Sequence, residues 1–135
     1  MIQRIQSVWL LLASACAFAT FKLPFYTGID NTGTNTKLIA THNILIMITT
    51  IIVGTLALLT IFLFKNRTLQ LRLCVLGILL EAVLIFLYYR EANTFTDGTY
   101  ALYALLHSLV VIFFFLAARG INKDGKLIKS TDRLR

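Results

Sequence analysis

Between Lys37 and Lys65 the chain carries no Asp, Glu, Lys or Arg, and most of the residues in between are Leu, Ile, Val, Phe, Ala or Thr. A helix that crosses a bilayer needs roughly 20 mostly apolar residues, and residues 38–64 meet that requirement. Three further runs share the character: residues 5–21, 73–89 and 100–118. The whole chain is 58% hydrophobic and 14% charged. A soluble domain is about 45–50% apolar with about a quarter of its residues charged, so this chain lies well outside that class. Barrel strands alternate apolar and polar residues over about ten positions, whereas these runs are continuous and longer. In lipid such segments satisfy their backbone hydrogen bonds internally, as helices. The expectation is an all-α integral membrane four-helix bundle with up-down topology. Residues 1–118 form the transmembrane domain and residues 119–135 a basic tail.

The first run resembles an export signal, because Arg4 precedes VWLLLASACAFA and small residues stand at Ala15, Ala17 and Ala19. We read it as a retained first transmembrane helix. With four spans both termini share one side of the membrane. That side holds 10 Lys and Arg residues, against 3 on the other, Lys22, Lys37 and Arg90. The bias places the termini and the 65–72 segment in the cytoplasm. The formal net charge of +7 follows from the same residues. They sit at membrane borders and form no groove, so topology and anionic lipid head groups account for them without a nucleic-acid partner.

Residues 22–38 and 90–99 are the outer loops, rich in Asp, Asn, Thr and Gly, and are expected to be turns without regular structure. Cys16 and Cys74 fall near opposite ends of their spans, too far apart for the ~7 Å that a disulfide tolerates between α-carbons. Ala13 and Ala17, Thr50 and Gly54, and Ala104 and Ser108 are spaced to form packing faces. The aromatic residues Trp9, Phe25, Tyr26, Tyr88, Tyr89 and Tyr100 lie near predicted borders, where belts of such rings anchor a span.

Glu81 stands at the midpoint of residues 73–89. An acid at the bilayer centre is unfavourable by about 2.5–3.5 kcal/mol and seeks a polar partner. His107 on the following span is the candidate. The helical rise puts Glu81 roughly 12 Å and His107 roughly 16 Å from the same membrane border, within one turn of each other. Three readings of the pair stay open: a proton relay or ion site, an interhelical bond that sets register, and, for Glu81, contact with a basic residue of another subunit.

The cytoplasmic segments carry the other candidate residues. Lys65, Arg67 and Arg72 in KNRTLQLR, and Arg119, Lys123, Lys126, Lys129, Arg133 and Arg135 in the tail, suit lipid phosphate or a partner's carboxylates. Leu127, Ile128, Thr131 and Leu134 recur at helical spacing, which predicts an amphipathic helix from about Lys126 that lies on the membrane or docks on a protein. Catalytic signatures are missing: there is no Gly-rich phosphate loop, no metal-ligand spacing and no Gly-x-Ser-x-Gly elbow. Neither an enzyme nor a cofactor or metal site is expected.

Three stretches, MIQRIQS at the start, FLFKNRTLQLRLCVLGILL in the centre and ARGINKDGKLIKSTDRLR at the end, together resemble a family of small four-helix membrane proteins from the Bacteroidota, classed as a domain of unknown function. The resemblance implies an inner-membrane location and four spans, and it implies no activity, substrate or cofactor. The role expected is a non-catalytic accessory or scaffold subunit that binds a membrane or cytoplasmic partner through residues 65–72 and the tail. The alternative is a small proton-linked transporter using Glu81 and His107.

Overall fold

Asparagines start two of the helices. The Asn43 side chain accepts a hydrogen bond from the backbone N–H of Leu45 at 2.9 Å, and that of Asn66 accepts from Leu69 at 3.3 Å. Each supplies an acceptor to a helix end whose first N–H groups have no intrahelical partner. The computed structural model describes residues 3–134. Its helices are α1 (Gln3–Ala19), α2 (Ile44–Phe62), α3 (Arg67–Ala92) and α4 (Leu105–Arg133). Its strands are β1 (Tyr26–Ile29), β2 (Asn35–Leu38) and β3 (Asp97–Tyr100).

Each helix packs on its sequence neighbours, and α4 closes the ring against α1. Buried positions recur at alternating spacings of four and three: Gln6, Leu10, Ala13, Ala17 and Thr20 on α1 and its end, Ile46, Thr50, Val53, Ala57 and Thr60 on α2. The same pattern holds for Gln70, Cys74, Gly77, Glu81, Leu84 and Tyr88 on α3, and for His107, Val110, Phe114, Ala117, Ile121 and Asp124 on α4. That 3.5-residue period is the seam of a left-handed bundle. The outward positions are equally apolar: Phe62 is 75%, Phe86 63% and Leu79 59% exposed. Among the described residues three helices, α2, α3 and the one ending at Arg133, are long and apolar enough to cross a membrane. α1 contributes a shorter apolar stretch, Ile5–Ala19, packed alongside them. The hydroxyls of Thr49, Thr50, Thr55 and Thr60 return to carbonyls one turn back on α2, so this helix carries its polar groups already satisfied.

Several boundaries differ from those expected. Residues 22–38 and 90–99 are not merely turns: β1 pairs antiparallel with β2 on one side and β3 on the other, in the order β2-β1-β3. A turn with Gly33 at φ 79° joins β1 to β2. The apolar run 38–64 therefore begins as the last residue of a strand, and helix starts only at Ile44. α3 begins at Arg67 and not at 73, because Asn66 caps it there. α4 begins at Leu105 and runs unbroken past 118, so the division between span and tail is not a break in the helix.

The sheet closes one end of the bundle, over a second core that includes Phe25, Leu38, Ile46, Leu84, Tyr88 and Phe95. Its centre depends on two glycines. Gly28 faces Gly98 across the β1–β3 ladder, and a Cβ on Gly98 would come within 2.5 Å of the Gly28 Cα and the Thr27 carbonyl oxygen. Backbone atoms cannot move aside there, so Gly98→Val is expected to open the β1–β3 pairing. Hydrogen exchange checks this. The amides of Thr96 and Ala101, which bond to the Ile29 and Phe25 carbonyls, should exchange at least about tenfold faster, a change of about 1.4 kcal/mol in opening free energy, while the α2 amides keep their protection.

Candidate functional site

The α3 seam delivers Glu81, and the first turn of α4 delivers His107, to the same layer of the bundle. Their contact, His107 Nδ1 to Glu81 Oε1, is 2.6 Å. Glu81 is fully buried and His107 is 2% exposed. One proton lies between the two atoms, on the imidazole nitrogen or on the carboxyl. The second carboxyl oxygen, Oε2, is buried without a hydrogen-bond partner among the described residues.

Aromatic rings enclose the pair. Phe25, in the link from α1 to β1, stacks on Tyr88 at 4.7 Å between centroids and meets the His107 ring edge-on at 5.5 Å. The Tyr88 ring is 4.8 Å from that of His107, and its hydroxyl lies beside those of Thr20 and Thr50. Thus α1, α2, α3, α4 and the sheet link all meet here. Beside the pair an open groove of about 500 Å³ runs between α3 and α4 under the sheet, lined by His107 and mainly by apolar side chains.

A second polar group sits at the opposite end. Asp124 and Gln6 are buried and hydrogen-bonded to each other, the Gln6 amide donating. Gln70 Nε2 donates to the Thr60 carbonyl at 3.1 Å, a second donor to an oxygen that also accepts the Leu63 N–H at 3.3 Å, and so ties α3 to the end of α2. Between the two groups the seam holds Leu10, Ala13, Ala17, Val53, Ala57, Cys74, Val110, Phe114 and Ala117. On α3 the gap from Gln70 to Glu81 is eleven residues, about 16 Å along the axis. Ser14 lies within this layer, and its hydroxyl is committed to the Gly54 carbonyl at 3.2 Å.

The basic residues do not converge. Lys65 is exposed in the α2–α3 link, Arg67 is half-buried on the first turn of α3, and Arg72 is exposed one turn further on. Arg119, Lys123, Lys126, Lys129 and Arg133 are exposed along α4. Arg135 lies outside the described residues. Arg119, Lys123, Lys126 and Arg133 fall on one stripe, two positions away from the seam and so roughly opposite it. Of the small-residue pairs, Ala13 with Ala17 and Thr50 with Gly54 are buried, whereas Ser108 is exposed. Trp9 stacks on Phe113 at 5.8 Å and so packs α1 on α4. The cysteines are both free thiols, Cys74 in the core. No group of three His, Cys, Asp or Glu residues that could hold a metal ion occurs among the described residues.

Gln6 and Asp124 were not among the candidates from sequence, because Gln6 stands at the very start of the 5–21 run and Asp124 in the basic tail beyond residue 118. Their signal was register. Gln6 precedes Leu10, Ala13 and Ala17 at seam spacing, and Asp124 follows Ala117 and Ile121.

A family model described as a domain of unknown function, DUF4293, matches residues 2–134. No curated protein and no solved structure matches the chain.

Proposed function

The chain belongs to the DUF4293 family, a domain of unknown function, and we propose that it is a non-catalytic scaffold subunit of the bacterial inner membrane, with both termini and the basic end of the bundle in the cytoplasm. The partner is a protein that meets the end of α4. One observation carries this reading: α4 outlasts the bundle. Its last buried residue is Asp124, and nine more helical residues follow, to Arg133. At 1.5 Å per residue the helix projects about 14 Å beyond that point.

Ile128 continues the seam, four residues after Asp124, and is 48% exposed; Leu127 beside it is 47% exposed. The stripe that binds helices inside the bundle therefore runs on past it, with Lys129 on its flank. A partner helix with an apolar face and acidic flanks matches both features. A continuous α4 also argues against a tail lying flat on the membrane, which would need a bend after residue 118. The proton-linked alternative fares worse, because the apolar layer of about 16 Å leaves the Glu81–His107 pair without a polar chain to the basic end.

The test is site-specific photo-crosslinking in cells from position 128. We expect one protein adduct of discrete mass, at least about tenfold weaker when Lys129 is changed to Glu, which reverses the proposed charge match. Adducts only to lipid, or an adduct indifferent to that reversal, would overturn the scaffold reading. Orientation has its own check. Alkaline phosphatase fused after residue 135 should be inactive and a fluorescent protein there bright; the reverse pattern would place the basic end outside.

A further inference from the structure

The groove between α3 and α4 is distinct from the docking end and has its own chemistry. Phe25 and Tyr100 form its aromatic wall, edge to face at 5.8 Å, and Ile85 and Leu105 its aliphatic one. The polar side chains lining it are His107 and Ser108, with the Tyr100 hydroxyl on the rim; no Lys, Arg, Asp or Glu lines it. Leu102, Leu105 and Tyr100 at its mouth are more than half exposed, on the surface that faces lipid if the bundle is embedded.

We infer that this groove binds the head of a lipid-soluble quinone, with the His107 imidazole as hydrogen-bond donor to a ring carbonyl. Charge selects the class. An anionic lipid head or a fatty-acid carboxylate would meet no cationic side chain on the lining. A quaternary or primary amine would have no carboxylate on the lining to meet. A neutral planar head with carbonyl acceptors matches an imidazole framed by rings, and its apolar tail leaves through the lipid-facing mouth.

The proton placement is consistent. With the shared proton on the Glu81 carboxyl, that group donates to His107 Nδ1, and the imidazole proton then resides on Nε2. Nε2 makes no other hydrogen bond among the described residues. Glu81 is thus a positioning residue that sets the tautomer, and the quinone is bound without any redox step.

The test uses the full chain in phosphatidylcholine nanodiscs, with tritiated decylubiquinone as the probe and empty discs to subtract partitioning. We expect saturable binding of one quinone per chain. His107→Phe should weaken it at least about tenfold, the loss of one hydrogen bond in an apolar site. Leu105→Trp, which fills the mouth and leaves the pair intact, should abolish it. Glu81→Gln should retain it within about threefold, because the amide also donates to Nδ1. Decylbenzene, which keeps the tail and lacks the carbonyls, should compete at least about tenfold less well. Wild-type binding no greater than in empty discs would overturn the inference. So would equal competition by decylbenzene, or undiminished binding by a folded His107→Phe. If that variant does not fold, undiminished binding by Leu105→Trp overturns it equally.

Discussion

Changing His107 alone to Leu should destabilise the bundle by about 1–3 kcal/mol, and changing Glu81 to Leu in the same chain should restore most of that loss. The single change leaves both oxygens of a fully buried carboxyl without a partner, and the cost is the desolvation of that group. The double change replaces acid and imidazole with side chains that suit the neighbouring Leu84 and Val110, and exchange of a buried polar pair for well-packed apolar residues is often neutral or stabilising. The two substitutions therefore should not add, as expected for residues in direct contact at 2.6 Å. Thermal unfolding in mild detergent reads all four members of the cycle. Additive losses would mean that the pair does not form. A double variant that keeps its stability but loses quinone binding would assign the pair to ligand recognition more than to holding the helices together. Interhelical hydrogen bonds in membranes contribute only about 0.6 kcal/mol on average, so the asymmetry between single and double variants is the informative quantity.

Gly77→Leu is expected to destabilise the bundle by about 1–3 kcal/mol, although Leu is the better helix former. A Cβ at Gly77 would lie 2.6 Å from the ring of Phe114, which is fully buried among Leu10, Ala13 and Val110 and has nowhere to swing. Overpacking of this kind outweighs a propensity gain of under about 1 kcal/mol. Gly54 makes the control. Its Cβ would be equally close to the ring of Phe18, at 2.6 Å, but Phe18 is 37% exposed and can rotate outward. Gly54→Ala should therefore be near neutral. The melting temperatures of the two variants separate the cases, and a Gly77→Leu variant as stable as the parent chain would mean that the Phe114 seat is not rigid. Since lipid offers the helices no hydrophobic gain from meeting one another, close packing of this sort is much of what holds the seam.

Apolar length made the helices legible. Runs of this size leave the backbone no alternative to internal hydrogen bonding, so four helical segments followed from residue identity alone, with starts displaced by six residues where Asn43 and Asn66 cap the chain and with α4 running fifteen residues past 118. The link between Glu81 and His107 was legible as well, because an isolated acid in an apolar run needs a partner and antiparallel neighbours of matched depth restrict the choice. What the residues could not reveal was which side of each helix turns inward. Leu79 and Leu84 are chemically the same, yet one is 59% exposed and the other 1%. When both faces are apolar the usual contrast between core and surface disappears, and packing around Gly77, Gly54 and the small residues of α1 decides the seam. The sheet lay further out of reach. β1 and β3 are about 70 residues apart in the chain, their strands are four residues long, and their Thr, Asn and Gly content reads as turns. Only once the helices bring both links to one end of the bundle can the Gly28–Gly98 pair close, placing Phe25 over His107. Composition determined that these helices form and suit a membrane; the three-dimensional arrangement alone decided what they enclose, because burial here is set by steric fit between surfaces of the same polarity.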